Sequence, residues 1–168
     1  MTAITFTLDD SELKSALSAL QNRLDDMTPV MDSIGQTLED NIRMALGRGA
    51  TPWGEAMQPL TSRNGVPLND TRQHIYNKIT HIADRDSVAV GLNENFNIAA
   101  THQFGATIKA KNSPYLRFKT QHGWRAVKQV TIPKRPFLPI RDDRVDLPEA
   151  WSTEIEQIVA NALSDAFK

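Results

Sequence analysis

A chain of 168 residues, 40% hydrophobic and 23% charged, is long enough for one domain with a real core, and its composition excludes low-complexity disorder. It has no cysteine, which excludes disulfides, Cys-ligated zinc, iron-sulfur clusters and thiol catalysis. The net charge is only −1 but sorted: residues 1–40 carry eight acids against two bases, residues 142–168 seven against two, and residues 95–141 nine Lys and Arg with no acid. A basic middle between acidic ends suits an oppositely charged surface, either nucleic acid or a second copy of the chain.

In the first ten residues Ile4, Phe6 and Leu8 alternate with Thr5 and Thr7, which predicts a short half-buried strand. Nothing there has the basic start and apolar block of a signal peptide, so export is not expected. Asp9 and Glu12 make a capping-box-like start. Leu13, Leu17, Leu20, Leu24 and Met27 then follow at 4-3-4-3 spacing, one stripe on a helix. Thr28 before Pro29 predicts the cap of a second helix, with Val30, Ile34, Leu38, Ile42 and Ala45 or Leu46 on its face and Gly47 and Gly49 at its end. The helical region covers residues 9–48, and both stripes belong in a core or a subunit interface.

Residues 49–70 read as a loop anchored by Trp53 and Leu60. Residues 71–132 read as sheet-rich, with a hairpin of 79–83 and 87–92 around Asp84-Arg85-Asp86 and a short helix over 96–104 ended by Gly105 at positive φ. Further strands are expected over 107–111, 116–120 and 124–132. In the last two, charged residues alternate with Leu116, Phe118, Trp124, Ala126 and Val130, which predicts one apolar and one basic face. Pro133, Pro136 and Pro139 exclude helix and central strand, leaving an extended Pro-rich arm over 133–141 pinned by Phe137 and Leu138. A C-terminal helix over 147–167 begins near Pro148 and uses Trp151, Ile155, Ile158, Val159, Ala162 and Ala166. The expected fold class is α+β: one domain of two N-terminal helices, a mostly antiparallel sheet with a short inserted helix, and a C-terminal helix.

The usual catalytic signatures are missing: no nucleophile elbow, no His-Glu-x-x-His, no phosphate-binding loop and no dinucleotide glycine motif. His74, His81, His102 and His122 show no i, i+4 pair and no carboxylate at metal-ligand spacing, so neither an enzyme, a metal site nor a cofactor is expected. Basic strands interleaved with Tyr115, Phe118 and Trp124 have a composition used on single-stranded nucleic acid. Against that, the pI is near 6.4, whereas specialised DNA-binding domains lie above about 9.

The candidate interaction residues are His102, Gln103, Phe104, Gly105, Lys128, Pro133, Arg135, Pro136, Phe137 and Leu138. Three prolines stiffen a segment in which Arg135 would reach a partner carboxylate and Phe137 fill a partner pocket. The alternative is an intramolecular clamp holding the C-terminal helix to the sheet, with His102, Gln103 and Gly105 serving only a helix end. Under the docking alternative, reversing Lys128 and Arg135 to Glu weakens assembly and spares folding.

Several phrases occur in a telling order: Thr51-Pro-Trp-Gly-Glu-Ala-Met-Gln-Pro-Leu60, Leu68-Asn-Asp-Thr71, Val88-Ala-Val-Gly-Leu92, Ala99-Ala-Thr-His-Gln-Phe-Gly105 and Ile132-Pro-Lys-Arg-Pro-Phe-Leu138. Over residues 29–165 the chain resembles the phage virion morphogenesis family, the tail-completion proteins of Mu-like and P2-like tailed phages. The chain departs from that pattern at Arg72, where members usually have Gly, and at Ile98, where they tend to have Tyr. The resemblance implies a structural protein that completes the tail at its head-proximal end and supports head-tail joining as a ring, a hexamer by analogy with tail symmetry. It implies as partners further copies of itself, the tail tube or terminator and neck proteins, with transient non-specific DNA contact and no membrane. Its place would be the virion, after assembly in the host cytoplasm. The alternative function is a non-specific DNA-binding module acting during genome packaging or passage.

Overall fold

The second helical stripe organises the molecule, because its residues repeat on one face of the longest helix among the described residues. The computed structural model describes residues 11–61, 64–69, 74–120 and 122–165. The expected strand over Ile4–Leu8, the Asp9 cap, Thr71 and Arg72 of the family-like phrase, and Ala166 lie outside the described residues.

Helix α1 (Ser11–Asp25) leads into α2 (Thr28–Arg48), which buries Val30, Ile34, Ile42 and Leu46. The start of α2 differs from expectation. Thr28 is the first helical residue rather than the cap, and Met27 occupies the cap position. The Thr28 N–H is taken instead by the Asp26 carboxylate at 3.0 Å, and the Thr28 side chain and N–H together hold the Asp26 carboxyl below the usual carboxylate range. Gly47 sits inside the last turn, and Gly49, at φ +67°, ends the helix. Its N–H donates to Leu46 O and that of Ala50 to Ala45 O, the paired bonds of a Schellman end.

Strands β1 (Ile79–Ala83) and β2 (Val88–Leu92) form the expected hairpin and pack on α2. Helix α3 (Phe96–Phe104) ends at Gly105, φ +75°. An added Cβ there would come within 3.1 Å of Lys134 N and 3.2 Å of Ile132 O. Strands β3 (Ala106–Lys109), β4 (Leu116–Thr120), β5 (Gly123–Val127) and β6 (Gln129–Ile132) follow, then the small hairpin of β7 (Ile140–Arg141) and β8 (Arg144–Val145), which the sequence pattern did not suggest. Helix α4 (Glu149–Ser164) closes the described chain against α2.

The fold is α+β, and among the described residues every strand pair is antiparallel, in four two-stranded ladders: β1-β2, β3-β6, β4-β5 and β7-β8. The strand expected over 124–132 is divided at Lys128. Its first part pairs with β4 (Leu116 opposite Val127) and its second with β3 (Lys109 opposite Gln129), so residues 110–115 face Lys128 alone. Pro114, lacking an N–H, lies in that excess and cannot continue the ladder. Residues 105–132 therefore make one long bulged ribbon.

Ile42, Leu46, Met57, Ile75, Ile79, Ala99, Phe137 and Trp151 form the core, drawing α2, β1, α3, α4 and the Pro-rich arm together. Each large apolar side chain buried there contributes about 1.5–3 kcal/mol. Of the α1 stripe, Leu20 and Met27 are half-buried, while Leu17 and Leu24 remain 53% and 50% exposed.

Candidate interaction surface

The two phrases singled out in the sequence meet in space. The Gln103 carboxamide is buried and reads the Pro-rich arm as a short backbone template: its Oε1 accepts from Phe137 N and Leu138 N, each at 3.0 Å, and its Nε2 donates to Leu138 O at 3.1 Å. The Arg135 N–H donates to His102 O at 2.7 Å. Gly105 supplies the close approach that lets α3 end against Lys134. Phe137, 1% exposed, belongs to the same core cluster as Trp151 of α4, the geometry of an intramolecular clamp.

Arg135 is 5% exposed. Its Nε donates to Gln58 O at 2.7 Å and one terminal nitrogen to Pro59 O at 2.9 Å, so it staples the loop after α2 with carbonyl rather than carboxylate acceptors. Two expectations are corrected here. Arg135 is not presented to a partner's acid, and reversing it would strike the fold before any assembly contact. Phe137 likewise has its pocket inside the subunit. His102, half-buried, keeps Nδ1 away from solvent without a hydrogen-bond partner among the described residues. Burial, and secondarily the Arg135 charge, lower its pKa, so the ring is neutral at neutral pH. Pro133, Pro136 and Leu138 are half-buried along the same segment, while Phe104 is 54% exposed and Lys128 lies apart in the ribbon, exposed.

The ribbon carries the charge. Of the nine bases in residues 95–141, Arg135 is buried and Arg141 stacks over Trp53, 3.8 Å from the ring centroid, within reach of Glu55 and Asp146. The other seven, Lys109, Lys111, Arg117, Lys119, Arg125, Lys128 and Lys134, are all exposed and form no ion pair among the described residues. The hairpin register also corrects the expected division into apolar and basic faces. Lys119 is opposite Trp124 and Arg117 opposite Ala126, while Phe118 is opposite Arg125. Residues directly across an antiparallel ladder share a face. Trp124, 75% exposed, therefore stands with Arg117 and Lys119, and Arg125 joins Phe118 on the other face. There it borders a groove of about 600 Å³ walled by Phe118, Val127, Val130, His102 and Leu60.

One cluster was not foreseen. His81 of β1 lies across Gly35 of α2, with Nδ1 2.6 Å from Glu39 and Nε2 3.1 Å from Asp32. Glu39 is also bound by Arg43 at 2.7 Å, and Arg43 donates to Ile79 O at 2.7 Å. Burial opposes the charged ring, but the hydrogen bonds to Asp32 and Glu39 outweigh it and raise the His81 pKa. The signal was present on α2 alone: two acids seven residues apart share a helix face, and the glycine between them leaves room for a ring.

A family model described as the phage virion morphogenesis family matches residues 8–164, nearly the whole chain and including α1. No curated protein and no solved structure matches it significantly.

Proposed function

The chain belongs to the phage virion morphogenesis family, and from that premise we propose that this structural protein completes the tail at its head-proximal end and supports head-tail joining as a closed ring. The observation that carries the proposal is the set of seven exposed cations on and beside one ribbon, without an ion pair among the described residues, in a chain whose net charge is −1. Such a subunit is self-complementary in charge, and a heterologous contact repeated around an axis closes a ring. Ring copies would assemble in the host cytoplasm and meet the tail tube or terminator and the neck proteins. Lys128 and Phe104 are contact candidates, whereas Gln103, Gly105, Arg135 and Phe137 shape the segment that supports the ribbon. The described helices include none long and apolar enough to cross a membrane.

A second function has one observation in its favour. Trp124 beside Arg117 and Lys119 is a stacking group among cations, which suits non-specific contact with DNA during packaging or passage. The discriminating experiment removes the gene from the phage and images the particles by negative stain. Tail completion predicts full heads and unjoined tails with altered head-proximal ends. A DNA role predicts joined particles with defective genome content.

A further inference from the structure

Among the described residues the ribbon's outer face has no extensive mate: neither β3-β6 nor β4-β5 packs extensively on a helix, and its cations pair with no described acid. Helix α4 has the opposite character. It holds three Glu and neither Lys nor Arg. Glu149, Thr153, Glu156 and Ala160 are spaced 4-3-4, which puts them on one face, and all four are exposed. Acids and small side chains alternate along this face, Thr153 between the two Glu and Ala160 one turn beyond the second, which makes a shallow seat flanked by negative charge.

Resting on the ring proposed above, we infer that the ribbon face of Arg117, Lys119 and Trp124 docks on this α4 face of a second copy. Trp124 lies over Thr153 and Ala160, and the two cations reach Glu149 and Glu156. The dimensions are compatible. Two residues along a strand span about 7 Å and seven along a helix about 10 Å, a difference that long Lys and Arg side chains cover. Ala126 opposite Arg117 leaves one flank of Trp124 open, in a depression of about 450 Å³ lined by Arg117, Trp124, Arg125 and Ala126. A Trp with Arg beside it is the composition of an interface hot spot, and an indole 75% exposed in the isolated subunit has most of its area left to bury. The complementary charge sits on the same chain in equal copy number, whereas a chain of net charge −1 offers DNA no overall attraction. Ribbon and α4 are different patches, so each copy gives one contact and receives another, as a ring requires.

The test uses two full-length variants: a ribbon-reversed one, Arg117→Glu with Lys119→Glu, and a helix-reversed one, Glu149→Lys with Glu156→Lys. Sedimentation at low salt measures self-association of each alone and of the two mixed, with circular dichroism verifying the fold. Each alone should associate about tenfold or more weakly than wild type. The equimolar mixture should recover association, because every ribbon–helix contact between unlike copies then pairs opposite charges. Trp124→Ala should weaken wild-type association about tenfold. If wild type assembles and the reversed variants assemble equally well, the docking surface is wrong and the ring stands. If wild type stays monomeric at low salt and after incubation with purified unjoined tails, docking and ring fail together. If the ribbon-reversed variant assembles normally but loses binding to a duplex DNA fragment, the ribbon faces nucleic acid and the inference is overturned.

Discussion

Replacing Gln103 with Leu tests the clamp that joins α3 to the Pro-rich arm. The substitution keeps the approximate size of a side chain only 2% exposed but removes its oxygen and nitrogen. Phe137 N, Leu138 N and Leu138 O, now bonded at 3.0, 3.0 and 3.1 Å, would lose their partners. An orphaned buried backbone group costs about 1–3 kcal/mol. Only the Phe137 bond is fully buried, and water reaches the other two in part, so the sum comes to about 2–4 kcal/mol against a small gain in apolar burial. At this chain length that is a fall in melting temperature of about 5–15 °C by thermal circular dichroism. A Gln103→Leu protein melting within about 1 °C of wild type would refute the clamp.

Gly105→Ala should cost about 1–3 kcal/mol in urea unfolding, because φ +75° with ψ 160° is a region that side chains disfavour and the new Cβ presses on Lys134 N. An unchanged midpoint would mean the helix end is not tied to the arm. Arg135→Glu should leave little soluble folded protein, while Lys128→Glu, on an exposed residue, should unfold within about 0.5 kcal/mol of wild type; equal behaviour of the two contradicts the burial of Arg135. The His81 pKa is raised above its ordinary 6.5, so its ion pairs contribute fully below that pH and lose their contribution as pH rises through the folded-state value. The stability deficit of His81→Asn should therefore be larger near pH 6 than near pH 9 in urea titrations. Comparison against wild type cancels the opposite trend of His102, whose lowered pKa costs stability as pH falls below 6.5. A deficit independent of pH would exclude a charged His81.

The periodic segments were legible from sequence, and the tertiary decisions were not. The stripe of α2, the hairpin around Asp84-Arg85-Asp86 and the helix ending at Gly105 rest on local chemistry, and they stand where it put them. The division of the strand at Lys128 depends on which partner each half pairs with, and the Trp124 face depends on register; neither is encoded in one strand's alternation. Arg135 looked like a surface cation because its acceptors, the Gln58 and Pro59 carbonyls, lie more than seventy residues earlier in the chain and leave no trace in side-chain pattern. The His81 pocket left a trace only on α2, where Asp32, Gly35 and Glu39 share a face, and nothing in the pattern of β1 pointed to its partner. Leu17 and Leu24 carry the opposite lesson: a regular stripe promises burial but does not say whether the partner is the same subunit.

The central claim, a structural subunit at the head-proximal end of the tail, is tested most directly by where the protein sits in the particle. Phage carrying a C-terminally tagged copy, labelled with gold after gentle head-tail dissociation, should show label at the head-proximal end of the tail. Label distributed along the tube, confined to the distal tip, or absent from particles that nonetheless join normally would contradict it.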